Sequence, residues 1–171
     1  MKHIYLLLLL GTSITSFAAA IDGHGAHEHG VAHLTLAMEG QSLQIALESP
    51  ADNVVGFEHA PIKARDKAAV EAALAQLRQP ALLKPGSDAG CNKGTAKAEN
   101  PFTATGNTAH RDFDAEYLFQ CQFPGKLTQL DASALFRTFP RMRTLKVDYA
   151  LPAGQGSGTL TPRAPRIRLV P

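Results

Sequence analysis

Four of the chain's seven histidines fall in one run, Asp22-Gly23-His24-Gly25-Ala26-His27-Glu28-His29-Gly30-Val31-Ala32-His33. A neutral imidazole offers a nitrogen lone pair that suits Zn2+, Cu2+ and Ni2+. On an extended backbone His27 and His29 point to the same side, alpha carbons roughly 6 to 7 Å apart, close enough to share an ion. His33 has the same parity. It lies about 13 Å from His29 along a straight strand, so it needs a bend near Gly30 to join the same site. His24 has the other parity, and Gly23 and Gly25 allow it to fold round. Glu28 can supply an oxygen. The bland alternative is a solvated polar leader that scavenges divalent metal as any His-rich tract does.

A segment this close to a chain start is disordered by default, so a preformed site needs donors from the folded body. His59, in Gly56-Phe57-Glu58-His59-Ala60-Pro61, is one, with Glu58 beside it; taken alone, it reads first as a helix-start or surface residue. His110 is the other. Asp112 shares its face and can bind the ion or orient the imidazole. Other chemistry finds no motif: there is no H-E-x-x-H, no G-x-S-x-G and no Walker-type phosphate loop. A His/carboxylate zinc site with an open position could hydrolyse a bond, but nothing marks a general base or a pocket. A non-enzymatic protein is expected.

The elements that must position these donors follow from hydrophobic period. Ala32, Leu34, Leu36 and Met38 alternate with His33 and Thr35, and Leu43, Ile45 and Leu47 repeat the pattern after Glu39-Gly40-Gln41. Together they predict a β-hairpin. Ser49 to Asn53 then breaks the sheet. Residues 61–79 predict the one long helix, with Pro61 in its first turn, Val70, Ala73, Leu74 and Leu77 as its apolar stripe, and Pro80 as its stop. Residues 84–108 read as a long surface loop. Residues 111–122 predict a strand with Phe113, Ala115, Tyr117, Phe119 and Cys121 inward and His110, Asp112, Asp114 and Glu116 outward. A short helix follows, capped by Asp131 and packed through Leu135, Phe136 and Phe139. Leu145 to Leu151 predicts a strand, Gly154 to Gly158 a turn, Thr159 to Thr161 a return, and residues 166–169 an edge strand guarded by Arg166 and Arg168. The expected class is α+β: a single domain with a mainly antiparallel sheet, one long helix and one short one.

Composition limits the partners and the compartment. A net charge of +2 gives no basic surface for nucleic acid. Met1-Lys2-His3, the apolar run Ile4 to Leu10 and Ser16-Phe17-Ala18-Ala19-Ala20 have the layout of a secretory signal peptide, residues 1–20. The run is too short to anchor the chain in a membrane, which takes roughly 18 apolar residues. In an oxidising compartment Cys91 and Cys121, the only cysteines, predict one disulfide. Closing a loop of about 30 residues contributes roughly 3 to 4 kcal/mol in the chain-entropy model. A redox or metal-thiolate pair would call for a C-x-x-C spacing that is absent.

On these residues the sequence resembles the ZrgA-type family of periplasmic zinc-uptake proteins. The resemblance rests on His27-Glu28-His29-Gly30-Val31-Ala32-His33-Leu34, on Glu48-Ser49-Pro50-Ala51 followed by Gly56-Phe57-Glu58-His59, and on His110, Phe113, Ala115, Tyr117, Phe119 and Cys121. Leu135-Phe136 and Phe139-Pro140 complete it. It implies a small exported domain that binds zinc and works beside an inner-membrane zinc transporter or its binding protein. His27, His29 and His33 are the ligands it implies first, His59 and His110 the further ones. Family members often carry a His- and Asp-rich insertion before the strand that His110 opens; here residues 84–108 hold no His. The short cluster, residues 21–30 leading into a domain over 31–171, is then the main metal feature. Copper or nickel homeostasis, or an interaction domain with incidental histidines, are the alternative readings.

Overall fold

Strict alternation of buried and exposed residues carries the architecture. The computed structural model describes residues 28–103 and 111–169. Strands β1 (Val31–Glu39) and β2 (Ser42–Pro50) form the expected hairpin, with Leu34 opposite Leu47 and Leu36 opposite Ile45. Helices α1 (Ala51–Val55) and α2 (Ala64–Leu77) follow, then the short strands β3 (Lys84–Pro85) and β4 (Thr95–Ala98). Strand β5 (Asp112–Gln120) leads to β6 (Gln129–Asp131), helix α3 (Ser133–Thr138), and strands β7 (Thr144–Leu151), β8 (Gly154–Leu160) and β9 (Arg166–Arg168).

Two sheets result. The larger has the order β4-β5-β2-β1-β7-β8, and the smaller has β3-β6-β9. Every pairing is antiparallel except that of β1 with β7, which is parallel with Val31 beside Thr144 and Ala37 beside Ala150. The sheet is therefore mixed. A parallel neighbour requires a crossover connection rather than a hairpin, and local patterning cannot announce one.

One face of the large sheet is apolar. Leu34, Leu36, Leu43, Ile45, Leu47, Phe113, Tyr117, Leu145 and Val147 are buried in one cluster with Val70, Leu74 and Leu77 of α2 and Leu135 and Phe136 of α3. Burying each such side chain contributes about 1.5 to 3 kcal/mol. The other face is exposed and polar, as an antiparallel sheet permits.

Four expectations need correction. The segment after β2 does not merely break the sheet; Ala51–Val55 is a one-turn helix whose Ala51 and Asn53 are buried, so tertiary contact rather than propensity holds it. The long helix is shorter than expected. Pro61 sits in a turn closed by Ile62 N–H to Ala60 C=O at 2.9 Å, and Lys63 is the residue before the first helical turn. Residues 84–103 are not wholly loop, because β4 pairs with β5 and Arg78 braces it through the Ala98 carbonyl at 3.0 Å. Finally, Gly154 to Gly158 is strand. The lack of side chains serves close packing there: a Cβ on Gly156 would fall 2.5 Å from the Tyr149 hydroxyl, and one on Gly158 2.5 Å from Ile167 Cδ1.

The hairpin, β5, α3, β7 and β9 lie where the sequence predicts them, whereas β3 and β6, which form the small sheet with β9, were not predicted. Cys91 and Cys121 form a disulfide, with Cys121 on the buried side of the sheet. Asp131 accepts the Ser133 N–H at 2.7 Å, but it is the last residue of β6 and stands one position ahead of the expected cap: Ala132 directly precedes α3 and supplies no side-chain cap.

Candidate metal centre

The backbone ahead of β1 is held before any side chain there can act. Gly30, with φ 88°, occupies the left-handed region that favours glycine, and Val31 N–H bonds back to Glu28 C=O at 3.0 Å. The chain thus bends near Gly30, but the bend sets His29 beside Glu58 and leaves His33 on the open face of the sheet. Gly30 C=O accepts from the N–H groups of Arg143 (2.8 Å) and Thr144 (2.9 Å), and Gly30 N–H donates to Asn53 Oδ1 at 2.6 Å. The last contact ties this turn to α1.

Helix α1 ends at Gly56, whose N–H bonds to Asp52 C=O at 3.0 Å, and Arg141 lies against this turn with a contact to Asp52 at 3.7 Å. The chain leaving it carries Phe57, Glu58 and His59. Glu58 thereby meets the N-terminal turn: His29 Nε2 stands 3.5 Å from Glu58 Oε1. The imidazole is 64% exposed and the carboxylate 26%, so the pair is open to an incoming ion.

His59 is exposed and stacks on Phe57, ring centroids 4.7 Å apart. Its Nδ1 lies 3.1 Å from Ala60 C=O. In the tautomer that donates this bond, Nε2 keeps its lone pair for a metal. Phe57 continues through Phe102 (5.9 Å) to Phe113 of β5 (6.3 Å, edge-on). The Glu58–His59 loop and the start of β5 therefore share one aromatic ridge. Ala51 N–H to Arg111 C=O, 2.7 Å, joins α1 to the same strand end, where Asp112 is half-buried opposite Pro50.

The predicted donors thus divide. His29 and Glu58 come together, and His59 belongs to the same loop as Glu58. Glu28 is exposed in the turn before β1. His33 is exposed on the open face of the sheet, in register with Glu48 on one side and Lys146 on the other, and has no contact to His29. His24, His27 and His110 lie outside the described residues, as does the expected signal peptide. Among the described residues no three His, Cys, Asp or Glu side chains converge on one point.

Sequence reasoning missed a row of carboxylates. Register places Glu48 between His33 and Asp114, and Glu99 N–H bonds to Asp114 C=O at 3.0 Å. Partial loss of the water around it raises the Asp114 carboxyl above the usual carboxylate range even on this exposed face, and the neighbouring charges of Glu48, Asp112, Glu99 and Glu116 raise it further. Outward parity was legible on each strand. Only the pairing of β1, β2 and β5 puts the outward residues side by side.

An exposed imidazole and a half-buried carboxylate, held by separately anchored segments, thus stand side by side on an α+β domain, and both are group types that can ligate a divalent metal. The family model described as ZrgA family zinc uptake protein matches residues 26–169, and the chain belongs to that family. No curated protein matches the sequence. No helix among the described residues is long and apolar enough to cross a membrane.

Proposed function

We propose that this protein is an exported, periplasmic zinc-binding accessory of zinc uptake, a metallochaperone rather than an enzyme. Residues 1–20 direct export and are removed, and the mature domain carries Zn2+ as cargo to an inner-membrane zinc transporter or its binding protein. The observation that carries this reading is the approach of His29 to Glu58, set within a family of zinc-uptake proteins. His29 and Glu58 form the nucleus of the site. His27 and His24 from the leading segment, and His59 and His110 from the body, complete the donor set, with Glu28 and Asp112 as oxygen donors or orienting groups. His33, on the open face, takes a lesser share.

A site with imidazoles on its rim loads when they are neutral and empties as they protonate. Dialysis of the mature chain against zinc tests the proposal. Micromolar or tighter binding at pH 7.5 is expected, with weaker binding in acid, where protons compete with the metal for the same donors. No binding at micromolar metal overturns it. Induction of the gene by zinc starvation rather than by copper excess tests the assignment of metal, since affinity alone favours copper(II) at such donors.

A further inference from the structure

Asn53 is 1% exposed, and its amide makes three contacts that span separate segments. Its Oδ1 accepts the Gly30 N–H at 2.6 Å, and its Nδ2 donates to Val31 C=O at 2.8 Å and reaches Ser49 Oγ at 3.3 Å. Ser49 is itself fully buried. An amide carries its donor and its acceptor on separate atoms, so it holds both sides of the Gly30–Val31 link. Asn53 also sits within the single turn of α1, five residues before Glu58. His29 precedes Gly30 directly. The same side chain therefore grips the residue next to one member of the donor pair and belongs to the helix that presents the other.

We infer that Asn53 is the positioning residue of the metal centre, setting the separation of His29 and Glu58 through the Gly30 peptide. The inference rests on the zinc reading above. Its physical basis is that groups behind a ligand fix its orientation, and releasing one typically costs a metal site ten- to a hundredfold in affinity, about tenfold at the low end. Asn53 touches neither ring nor carboxylate. Its effect must pass through His29.

A double-mutant cycle on the mature chain, read by zinc affinity against a competing chelator, separates positioning from general support of the fold. Asn53→Ala is expected to weaken zinc about tenfold in the otherwise natural chain and less than about twofold when His29→Ala is already present. Equal losses in both backgrounds overturn the inference, because they signal a structural role. No loss from Asn53→Ala, with a clear loss from His29→Ala, overturns it while leaving the zinc reading intact. No loss from His29→Ala overturns both. Should Asn53→Ala fail to fold, Asn53→Asp and Ser49→Ala take its place. The first keeps the acceptor for Gly30 and loses the Nδ2 donor; the second removes the 3.3 Å contact and the Ser49 hydroxyl's own 3.5 Å bond to Pro50 C=O, leaving both Asn53 bonds to Gly30 and Val31 in place. The same dependence on His29 is expected for each, with the smaller loss from Ser49→Ala.

Discussion

The turn before β1 and the open face of the large sheet carry the same kinds of side chain, yet they are built differently. At the turn, His29 and Glu58 meet because Asn53, Gly30 and Arg141 brace the backbone on both sides. On the open face, His33, Glu48 and Asp114 stand abreast only because their strands are neighbours, and the carboxylates crowd one another. Donor composition alone is therefore a poor guide to a site. What distinguishes the two regions is whether segments from different parts of the chain are anchored so that unlike groups face each other.

The widest gap between the regions is expected in zinc affinity. His29→Ala should weaken binding about tenfold or more, whereas His33→Ala should cost no more than about threefold. Equal losses, measured by chelator competition, would dissolve the distinction.

Stability offers a second and smaller contrast, between a carboxylate held by donors and one crowded by like charges. Asp131 is tied to Ser133 N–H at 2.7 Å and to Arg166 Nε at 2.8 Å. Burial works to raise its carboxyl, but these hydrogen bonds and the Arg166 charge together lower it. A lowered carboxyl stabilises the fold above its unfolded value near 3.9, and that contribution is lost as pH falls through the folded value. Asp131→Ala should accordingly cost about 1 kcal/mol at pH 7 in urea unfolding, and progressively less in acid.

Asp114 runs the other way and gives the smallest effect. Its raised carboxyl favours the fold at low pH and opposes it once ionised. Asp114→Asn should stabilise the protein at pH 7 by a few tenths of a kcal/mol, about what solvent screening leaves at an exposed position. The gain should vanish below about pH 3, where both states are protonated. A loss of stability at neutral pH would show that the open-face carboxylates are not in conflict.

Much of the scaffold was legible in sequence, and the reasons are physical. Leu34, Leu36, Leu43, Ile45 and the run from Phe113 to Phe119 alternate cleanly because each faces a core on one side and water on the other. The Cys91–Cys121 disulfide follows from there being two cysteines and no others. Strand β8 was hidden because glycine carries no pattern, and β4 because Thr-Ala-Lys-Ala has no strong preference for a strand. Helix α1 is a single turn whose buried polar residue, Asn53, looks like a sheet breaker in sequence. At the site, His29 and Glu58 were both legible as donors. Their meeting was not, since it depends on an amide 23 residues from the glycine it holds.

The parallel pairing of β1 with β7 has a consequence for the order of assembly. Strand β1 receives its second neighbour only when β7 is present, so the strand that follows the histidines remains an open edge until most of the chain is available. Pairings of such long reach close late and slowly. The turn holding His29 is completed by the same late strand, through the N–H groups of Arg143 and Thr144 on Gly30 C=O. The approach of His29 to Glu58 is thus among the last parts of the molecule to take shape, and a truncated or half-folded chain would lack the geometry on which the proposed zinc site rests.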